Sequence, residues 1–359
     1  MQANLREKVF LFMPSKLLLH PEINVKRNAP LNLVPENKFF FEHEFEKSFP
    51  PVYLYNLQNT NVSFEAVVFK NMQVFKPSLV YSWQVKDYNL IYLLKNYLKR
   101  KKHTLAKSGK YLLACDVWSN GYFHWMCDAL PRLTISKNMH SDFTLLLPEG
   151  YNAPYIINSL KMFAFKEILL IKKDSYVRVP ELALPGHVAP TGNFNPAIMS
   201  AIRNNFFELY KDCKFEHGEK IYISRRNANY RHILNEDEVL KVVEANGFKI
   251  VALEDYTHEE QISIMKHSRF VIGCIGAGMV NTLFMQKGGS VLEFREKGDG
   301  YNNAYFALTS AVGVNFLSQF CECDRSRYSN TAIQNLVKFD LLVDIPELEK
   351  NIELMLKPL

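Results

Sequence analysis

The 359-residue sequence lacks several features that would fix its class at once. No apolar run approaches the about 20 residues that a membrane-spanning helix needs. The first twelve residues mix charged with apolar side chains and lack a small-residue cleavage site, so they predict no secretory signal. The six cysteines include one C-x-C pair, Cys321 and Cys323, without a second pair or a histidine pair to complete a metal site. We therefore expect a cytoplasmic protein with reduced thiols and no bound metal.

Basic residues outnumber acidic ones and give the chain a net charge of +6. No zinc-finger spacing, RNA-recognition signature or long basic helix accompanies this charge, so nucleic acid is not an expected partner. The densest basic cluster, Lys99 to His103, directly follows the apolar and aromatic stretch Tyr92 to Leu98. This cluster fits a solvated helix end. It also fits a peripheral contact with anionic lipid, or with a lipid-linked acceptor, at the inner face of a membrane.

Alternating strand and helix patterns predict an α/β fold with mainly parallel sheets. Residues 1 to about 80 resemble an irregular extension with short strands. The rest of the first half then predicts a helix at 87–101, a strand at 111–117, a helix at 122–136, a strand at 143–147, a helix at 153–163, a strand at 167–171, a loop at 180–196 and a helix at 197–210.

The second half predicts a doubly wound, Rossmann-like domain of four strands and three intervening helices. Asn235 can cap the first of these helices, and Thr257 with Glu260 has capping-box spacing for the second. A last helix, 345–356, carries apolar residues at helical spacing, and we expect it to pack back across the first domain. The predicted limits are 1–210 for the first domain, 211–330 for the second and 331–359 for a helical tail.

A glycine-rich turn, Gly276-Ala277-Gly278, follows the third strand of this domain and precedes a helix. Small residues let the backbone approach a ligand, and the N–H groups at a helix start favour an anion such as a diphosphate. The same glycines also fit a plain tight turn. They do not form a dinucleotide fingerprint, which would lie on the first strand of the domain.

Arginines follow the first strand of the same domain, at the edge of the sheet where the glycine-rich turn is also expected. Arg225, Arg226 and Arg231 can bind phosphate oxygens with their guanidinium forks, or they can be solvated residues of a surface loop. Glu293, expected at the end of a neighbouring strand, can accept hydrogen bonds from ribose hydroxyls or can face solvent. Asn235 and Asn281 are further polar candidates near this edge.

In the first half, His124 and Asp128 are four residues apart and share one face of a predicted helix. Either can act as a general base, or the carboxylate can orient the imidazole. A histidine among aromatic residues is also compatible with a purely structural position in the core.

Five segments in this order resemble glycosyltransferase family 61, which contains plant xylan-decorating transferases and animal O-linked N-acetylglucosaminyltransferases. They are N-G-Y-F-H-W-M-C-D-A-L-P-R-L (120–133), Y-I-S-R-R-N-A-N-Y-R-H-I-L-N-E (222–236), E-E-Q-I (259–262), V-I-G-C-I-G-A-G-M-V-N (271–281) and V-L-E-F (291–294). Because the chain shows no secretory anchor, we expect a bacterial member that acts in cell-surface polysaccharide, capsule or lipopolysaccharide synthesis.

The resemblance implies a GT-B fold, in which two Rossmann-like domains face each other across a cleft. It implies inverting transfer of a hexosyl or pentosyl group from a nucleotide-sugar, expected to be a UDP-sugar, to a glycan or lipid-linked glycan acceptor. No metal and no cofactor beyond the nucleotide-sugar are implied, and the sequence contains no D-x-D triplet. Arg225, Arg231 and Gly276 to Gly278 would contact the donor diphosphate, Glu293 the donor ribose, and His124 or Asp128 the acceptor.

One position departs from the family pattern, because Ile275 stands where family members commonly have histidine before Gly-Ala-Gly. The contact that this histidine side chain would make with the donor is either absent from this chain or supplied by His258 or Arg226. This departure leaves open a non-catalytic protein that binds a nucleotide or sugar. An NAD(P)-dependent oxidoreductase is a further alternative, although the first strand of the second domain lacks the fingerprint that it requires.

Overall fold

The computed structural model describes residues 14–328 and 338–358, which form two compact units. The first unit contains the described residues up to Glu22 together with Pro50–Val188. The second contains Ile23–Phe49 and the described residues from Ala189 onward. The division therefore falls about twenty residues before the predicted boundary, a segment from near the N-terminus belongs to the second unit, and so does the predicted C-terminal tail.

Both units combine strands with helices. The strands are β1 (Ser15–His20), β2 (Ile23–Lys26), β3 (Glu46–Phe49), β4 (Val52–Ser63), β5 (Val68–Lys70), β6 (Gln73–Val74), β7 (Lys101–Thr104), β8 (Tyr111–Leu112), β9 (Thr144–Pro148), β10 (Glu167–Ile171), β11 (Ser175–Pro185), β12 (Lys220–Ile223), β13 (Lys249–Val251), β14 (Phe270–Cys274), β15 (Ser290–Glu296), β16 (Asn315–Asp324) and β17 (Asp340–Leu342). The helices are α1 (Leu90–Lys99), α2 (Tyr122–His124), α3 (Leu130–Ile135), α4 (Pro154–Leu160), α5 (Pro196–Leu209), α6 (Glu236–Ala245), α7 (His258–His267), α8 (Ala304–Val312) and α9 (Ile345–Leu356).

The sheet of the first unit is mixed. Its order is β10-β9-β8-β11-β4-β5-β6, with β1 paired to β4 and β7 paired to β11. Strands β7 to β11 are joined by parallel pairings, as predicted, whereas β1, β5 and β11 all pair antiparallel with β4. The predicted loop at 180–196 is wrong in its first part, because β11 continues through Pro180 to Pro185.

The predicted helix 122–136 is present, but its middle turn is wider than an α-helix. Trp125–Ala129 is a π-helical segment between α2 and α3, and the Leu130 N–H donates to the carbonyl of Trp125, five residues back. Pro131, which follows, has no N–H to donate and would clash with the carbonyl four residues before it in a regular α-helix. A π turn relieves this conflict, and such turns are frequent at functional sites.

The sheet of the second unit has the order β13-β12-β14-β15-β16-β17, in which the first five strands are parallel. The predicted four strands and the first two of the three predicted helices are confirmed, whereas the third, predicted at about 279–285, is the 3₁₀ helix Ala277–Phe284. Helix α8 and strand β16 add a further crossover. The capping box of Thr257 and Glu260 is confirmed at the start of α7. Helix α9 packs on α6, β15 and β16 of this same unit, which corrects the expectation that it packs on the first domain.

The central strands of this sheet are covered on both faces, which explains their apolar sequences. Val271 and Ile272 of β14 and Val291 and Leu292 of β15 are fully buried. Each such side chain contributes about 1.5–3 kcal/mol to stability. The turns that follow these strands are therefore anchored to a stable part of the core. Among the described residues, no helix combines the length and apolarity that crossing a bilayer requires.

Candidate functional site

The second unit has a topological switch point between β12 and β14. The strand that follows β12 lies on one side of this pair, and the strand that follows β14 lies on the other. Parallel sheets with this arrangement bind ligands in the crevice beyond the carboxyl ends of the two strands. The arginine-containing segment 225–231 follows β12, and the turn 276–278 follows β14. Both predicted phosphate-binding segments therefore start at this point of the sheet.

Arg225 joins these two segments. Its Nε donates to the carbonyl of Arg231 at 2.9 Å, and its Nη2 donates to the carbonyl of Tyr230 at 2.7 Å. Its guanidinium lies against Gly276, where an added Cβ would be 3.1 Å from Cζ and would collide with Nη1. The side chain thus holds the 230–231 backbone and rests on the glycine-rich turn. Two of its three guanidinium nitrogens donate to backbone carbonyls of the same loop. Arg225 is therefore first of all a residue that positions the 230–231 backbone.

Arg231 occupies a left-handed backbone conformation, with φ of 62°, which non-glycine residues adopt rarely. Its N–H donates to the carbonyl of Phe339 at 2.7 Å, and its own carbonyl receives the bond from Arg225. The guanidinium lies 5.4 Å from the Tyr230 ring and 5.2 Å from the Phe339 ring, and its Nη1 donates to the Ile275 carbonyl at 3.4 Å. This side chain is therefore clamped at the start of the glycine-rich turn.

Replacing Gly276 by alanine is expected to destabilise the second unit, because the added Cβ would collide with the Arg225 guanidinium. The Gly276 backbone is extended, with φ of 166°, so the strain of a Gly276→Ala variant comes from the collision with Arg225 alone. Displacing Arg225 would break its two carbonyl hydrogen bonds and cost about 1–3 kcal/mol in the free energy of unfolding. Urea unfolding measures this loss. Gly150→Ala, where an added Cβ approaches only Phe64 at 4.0 Å, is the control and should change stability by less than about 0.5 kcal/mol.

The glycine-rich turn opens to solvent at the point where a ligand would reach it. Gly276 precedes the 3₁₀ helix Ala277–Phe284; Ala277 is exposed and Gly278 is half-buried, whereas Met279 to Phe284 are buried. The N-terminus of this helix is thus accessible, as anion binding by its N–H groups requires.

Three other predicted donor residues are engaged elsewhere in the unit. The pairs are Arg226 Nη2 with Asp255 Oδ2 at 2.5 Å, the Asn235 side chain with the Val343 backbone at 2.9 and 3.0 Å, and Asn281 Nδ2 with Gln261 Oε1 at 3.1 Å. Asn235 does precede α6, but its side chain makes no capping bond. These contacts hold the loops and helices around the crevice together, and the predicted donor contacts of the three residues stay predictions.

Ile275 is buried, with 2% of its surface exposed, and its carbonyl accepts the bond from Arg231. The two residues suggested as substitutes for a histidine here differ in their surroundings. His258 is buried beside the rings of Phe206 and Tyr210, at 5.5 and 6.0 Å, and Arg226 is paired with Asp255. Beside the turn itself, the structure thus places the Arg231 guanidinium and backbone groups, and their contact with a donor stays a prediction.

Glu293 is not at the end of its strand, because β15 continues to Glu296. It is fully buried, 3.7 Å from Arg295 Nη1, and neither of its oxygens accepts a hydrogen bond from the described residues. Burial raises its pKa to about 7, against the lowering effect of Arg295 and Arg231. The predicted solvent-facing alternative is therefore excluded. The predicted bond to a ribose stays a prediction.

A Glu293→Gln variant is expected to be more stable than the wild type at alkaline pH. The folded pKa of Glu293 lies above its ordinary value of 4.5, so the stability contributed by the bound proton is present below pH 4.5 and is lost as pH rises through about 7. Glutamine stays neutral throughout. Urea unfolding should show a gain of about 2–4 kcal/mol at pH 8 and almost none at about pH 4. The exposed Glu254→Gln is the control, and a pH-independent difference would contradict the assignment.

In the first unit, the structure pairs the two predicted catalytic residues. His124 Nδ1 lies 2.7 Å from Asp128 Oδ2, across the start of the π-helical segment. The His124 side chain is 25% exposed, whereas that of Asp128 is 2% exposed. When the carboxylate accepts a hydrogen bond from Nδ1–H, the ring is the tautomer whose Nε2 lone pair is free to remove a proton. The arrangement suits His124 as the base and Asp128 as the residue that orients it.

A second charged cluster in this unit is absent from the sequence-based prediction. Asp116 Oδ2 lies 3.7 Å from Arg132 Nη1 and 3.8 Å from His187 Nε2, and the Asp116 and Arg132 side chains are fully buried. Burial, and then the charge of Arg132, lower the pKa of His187 to about 4, with a smaller contribution from His124. This imidazole is therefore neutral near pH 7. An acidic residue after an apolar strand was the available signal for Asp116.

Comparison with known proteins supports the sequence resemblance. Residues 122–292 match the family model described as Glycosyltransferase 61. The match spans just under half of the chain, so the chain is similar to glycosyltransferase family 61 over that range. The matched range begins two residues before His124 and includes Arg225, Arg231 and the glycine-rich turn, while Glu293 directly follows it. The predicted resemblance to this family is confirmed over the matched range.

Two relatives share part of this chain, and both are named EGF domain-specific O-linked N-acetylglucosamine transferase. The protein from Drosophila melanogaster is 34% identical over 98 residues, which is 26% of this chain and 18% of that protein. The protein from Bos taurus is 28% identical over 104 residues, which is 28% of this chain and 19% of that protein. The match thus covers less than a fifth of the length of either relative.

Proposed function

We propose that this protein transfers a glycosyl group from a nucleotide-sugar, expected to be a UDP-sugar, to a hydroxyl of a glycan or lipid-linked glycan. The observation that carries the proposal is the convergence of Arg225, Arg231 and Gly276 at the switch point of a parallel sheet. A guanidinium beside an accessible helix N-terminus is suited to a diphosphate, the leaving group of such donors. The GT-B arrangement implied by the family resemblance belongs to the same proposal.

The proposed reaction is an inverting displacement in one step. His124 removes the proton of the acceptor hydroxyl, whose oxygen attacks the anomeric carbon as the bond to the diphosphate breaks. Asp128 stabilises the imidazolium that forms. The diphosphate leaves with the electron pair of the broken bond, and Arg231 with the amide groups at the glycine-rich turn stabilises its charge. This scheme uses no catalytic metal.

Isothermal titration calorimetry with UDP and with a set of nucleotide-sugars tests the donor half of the proposal. UDP-N-acetylglucosamine comes first in this set, because the two relatives are named for N-acetylglucosamine transfer. We expect binding of UDP and of one UDP-sugar, followed by release of UDP when an acceptor is present. Binding without release of UDP would instead favour a non-catalytic nucleotide-binding protein. Binding of NADH in place of UDP would refute the proposal.

A further inference from the structure

Helix α1 in the first unit exposes apolar side chains on the side that faces solvent. Leu90, Ile91, Leu94 and Leu98 are 58%, 76%, 42% and 79% exposed, whereas Leu93 is buried. Successive residues of a helix are rotated by about 100°, so Ile91 and Leu98 lie opposite the buried face. A surface helix of a globular protein ordinarily carries polar residues at these positions. Within residues 14–328 and 338–358, no element covers the outer face of α1 in a way that accounts for its apolar sequence.

Basic residues surround this apolar face. No Asp or Glu occurs between Asp87 and Asp116, a stretch that contains six lysines and one arginine. Arg100 pairs with Glu65, but the lysines around the face are exposed: Lys95, Lys99, Lys101, Lys102, and, on the turn before the neighbouring β11, Lys172 and Lys173. Asp174 on the same turn and Glu149, which accepts from the Lys173 N–H, are acidic residues nearby, but the lysines outnumber them. Apolar residues flanked by an excess of lysines are typical of helices that lie in a membrane interface.

Two further features border α1. Trp83, just before the helix, is 55% exposed and stacks on Tyr81 with 5.8 Å between ring centroids. Exposed Trp and Tyr side chains are enriched at the level of lipid head groups. Beside the start of the helix, a groove of about 530 Å³ is lined mainly by apolar side chains, among them Val74, Phe75, Val85 and Leu90.

We propose that α1 docks this protein on an anionic membrane, with Ile91, Leu94 and Leu98 inserted at the level of the head groups. The charge decides between the possible occupants of this face. A second copy of the chain would bring the same lysines against each other, whereas anionic lipid neutralises them. This inference does not depend on the proposed enzymatic function, because binding alone tests it.

Vesicle flotation provides the test, with vesicles of phosphatidylglycerol mixed with phosphatidylcholine and vesicles of phosphatidylcholine alone. We expect binding to the mixed vesicles that is at least about tenfold weaker without phosphatidylglycerol and that weakens as salt is added. The double variant Ile91→Glu/Leu98→Glu should bind at least about tenfold more weakly, because it places two carboxylates in the apolar face. Ile168→Glu/Leu170→Glu, which alters exposed apolar residues on β10 of the same unit, should bind like the wild type.

Several results would overturn the proposal. Wild-type protein that stays unbound from both vesicle types, or binds them equally, would exclude docking on anionic lipid. Equal losses in the two double variants would show that α1 is not the docking face. Sedimentation velocity distinguishes the remaining occupant: a wild-type dimer that only the α1 variant dissociates would assign the face to a second copy. Because all four substituted residues are exposed, circular dichroism should show an unchanged fold.

Discussion

Replacing Asp128 by asparagine is expected to lower turnover by about 10²- to 10⁴-fold while leaving the affinity for the nucleotide-sugar within about twofold. The buried carboxylate accepts a hydrogen bond from the Nδ1–H of His124 at 2.7 Å. This bond sets the tautomer in which Nε2 is the exposed, basic nitrogen. An asparagine can donate to Nδ1 instead, which stabilises the wrong tautomer and removes the charge that balances the imidazolium. His124→Ala, which removes the base itself, should reduce turnover at least as strongly. Rates of UDP release and calorimetric affinities measure the two quantities separately.

Asp142→Asn is the control for this pair, because Asp142 is an exposed carboxylate of the same unit that pairs only loosely with Lys110, at 3.6 Å. It should retain wild-type turnover. Since Asp128 is buried, thermal unfolding of each variant must show that the unit remains folded. Near-normal turnover in both Asp128→Asn and His124→Ala would remove this helix from the mechanism. A parallel loss of donor affinity and turnover would indicate a binding role instead.

The local patterns of the second unit predicted its elements well, because each element carries its own start and stop signals. Helix α9 lies at the predicted bounds, and Thr257 with Glu260 forms the predicted capping box. In the first unit, strand β10 also lies at its predicted bounds. The prediction that failed concerns packing. Apolar spacing shows that α9 has a buried face, but it does not show which sheet covers that face.

Strand β11 was not predicted because prolines argue against a strand. They are tolerated here because the pairing of β11 with its neighbours is interrupted at Pro180. Pairing with β7 ends at Arg178, and pairing with β8 begins at Leu182. Pro180, which has no N–H to donate, lies in the gap between these two short partners. On the other side, the pairing with β4 skips Asn59, whose φ of 53° marks an irregular residue in that strand. Prolines in strands occur at such interruptions.

The candidate site was predictable at the level of segments and less so at the level of atoms. Residues at the ends of neighbouring parallel strands must share an edge, so the proximity of Arg225 and Gly276 followed from the strand order. The use of two Arg225 nitrogens on backbone carbonyls did not follow, because it depends on the fold of the 225–231 loop. Likewise, the cluster of Asp116, Arg132 and His187 joins three separate segments that share no local pattern.

Replacing Arg231 by alanine is expected to lower kcat/KM by about 10²- to 10³-fold and to weaken UDP binding by at least about tenfold. The clamped guanidinium lies at the start of the glycine-rich turn, where the leaving diphosphate would gain charge. Arg231→Lys keeps the charge but loses the planar fork, so it should recover only part of the activity. Both variants retain a Cβ at the left-handed position, so the backbone strain of the wild type is unchanged. Steady-state kinetics and calorimetry with UDP measure these effects.

Arg226→Ala is the matched control, since it removes a neighbouring arginine of the same loop. Its exposed pair with Asp255 contributes about 0–1 kcal/mol, so kcat/KM should fall by less than about fivefold. Arg225→Ala should resemble Arg231→Ala, because without its two bonds to the 230–231 carbonyls Arg231 loses its position. If the double variant loses no more kcat/KM than either single variant, the two arginines act as one coupled unit. Equal losses in the Arg226 and Arg231 variants would point to a general effect of loop charge, and unchanged UDP affinity in Arg231→Ala would place the diphosphate elsewhere.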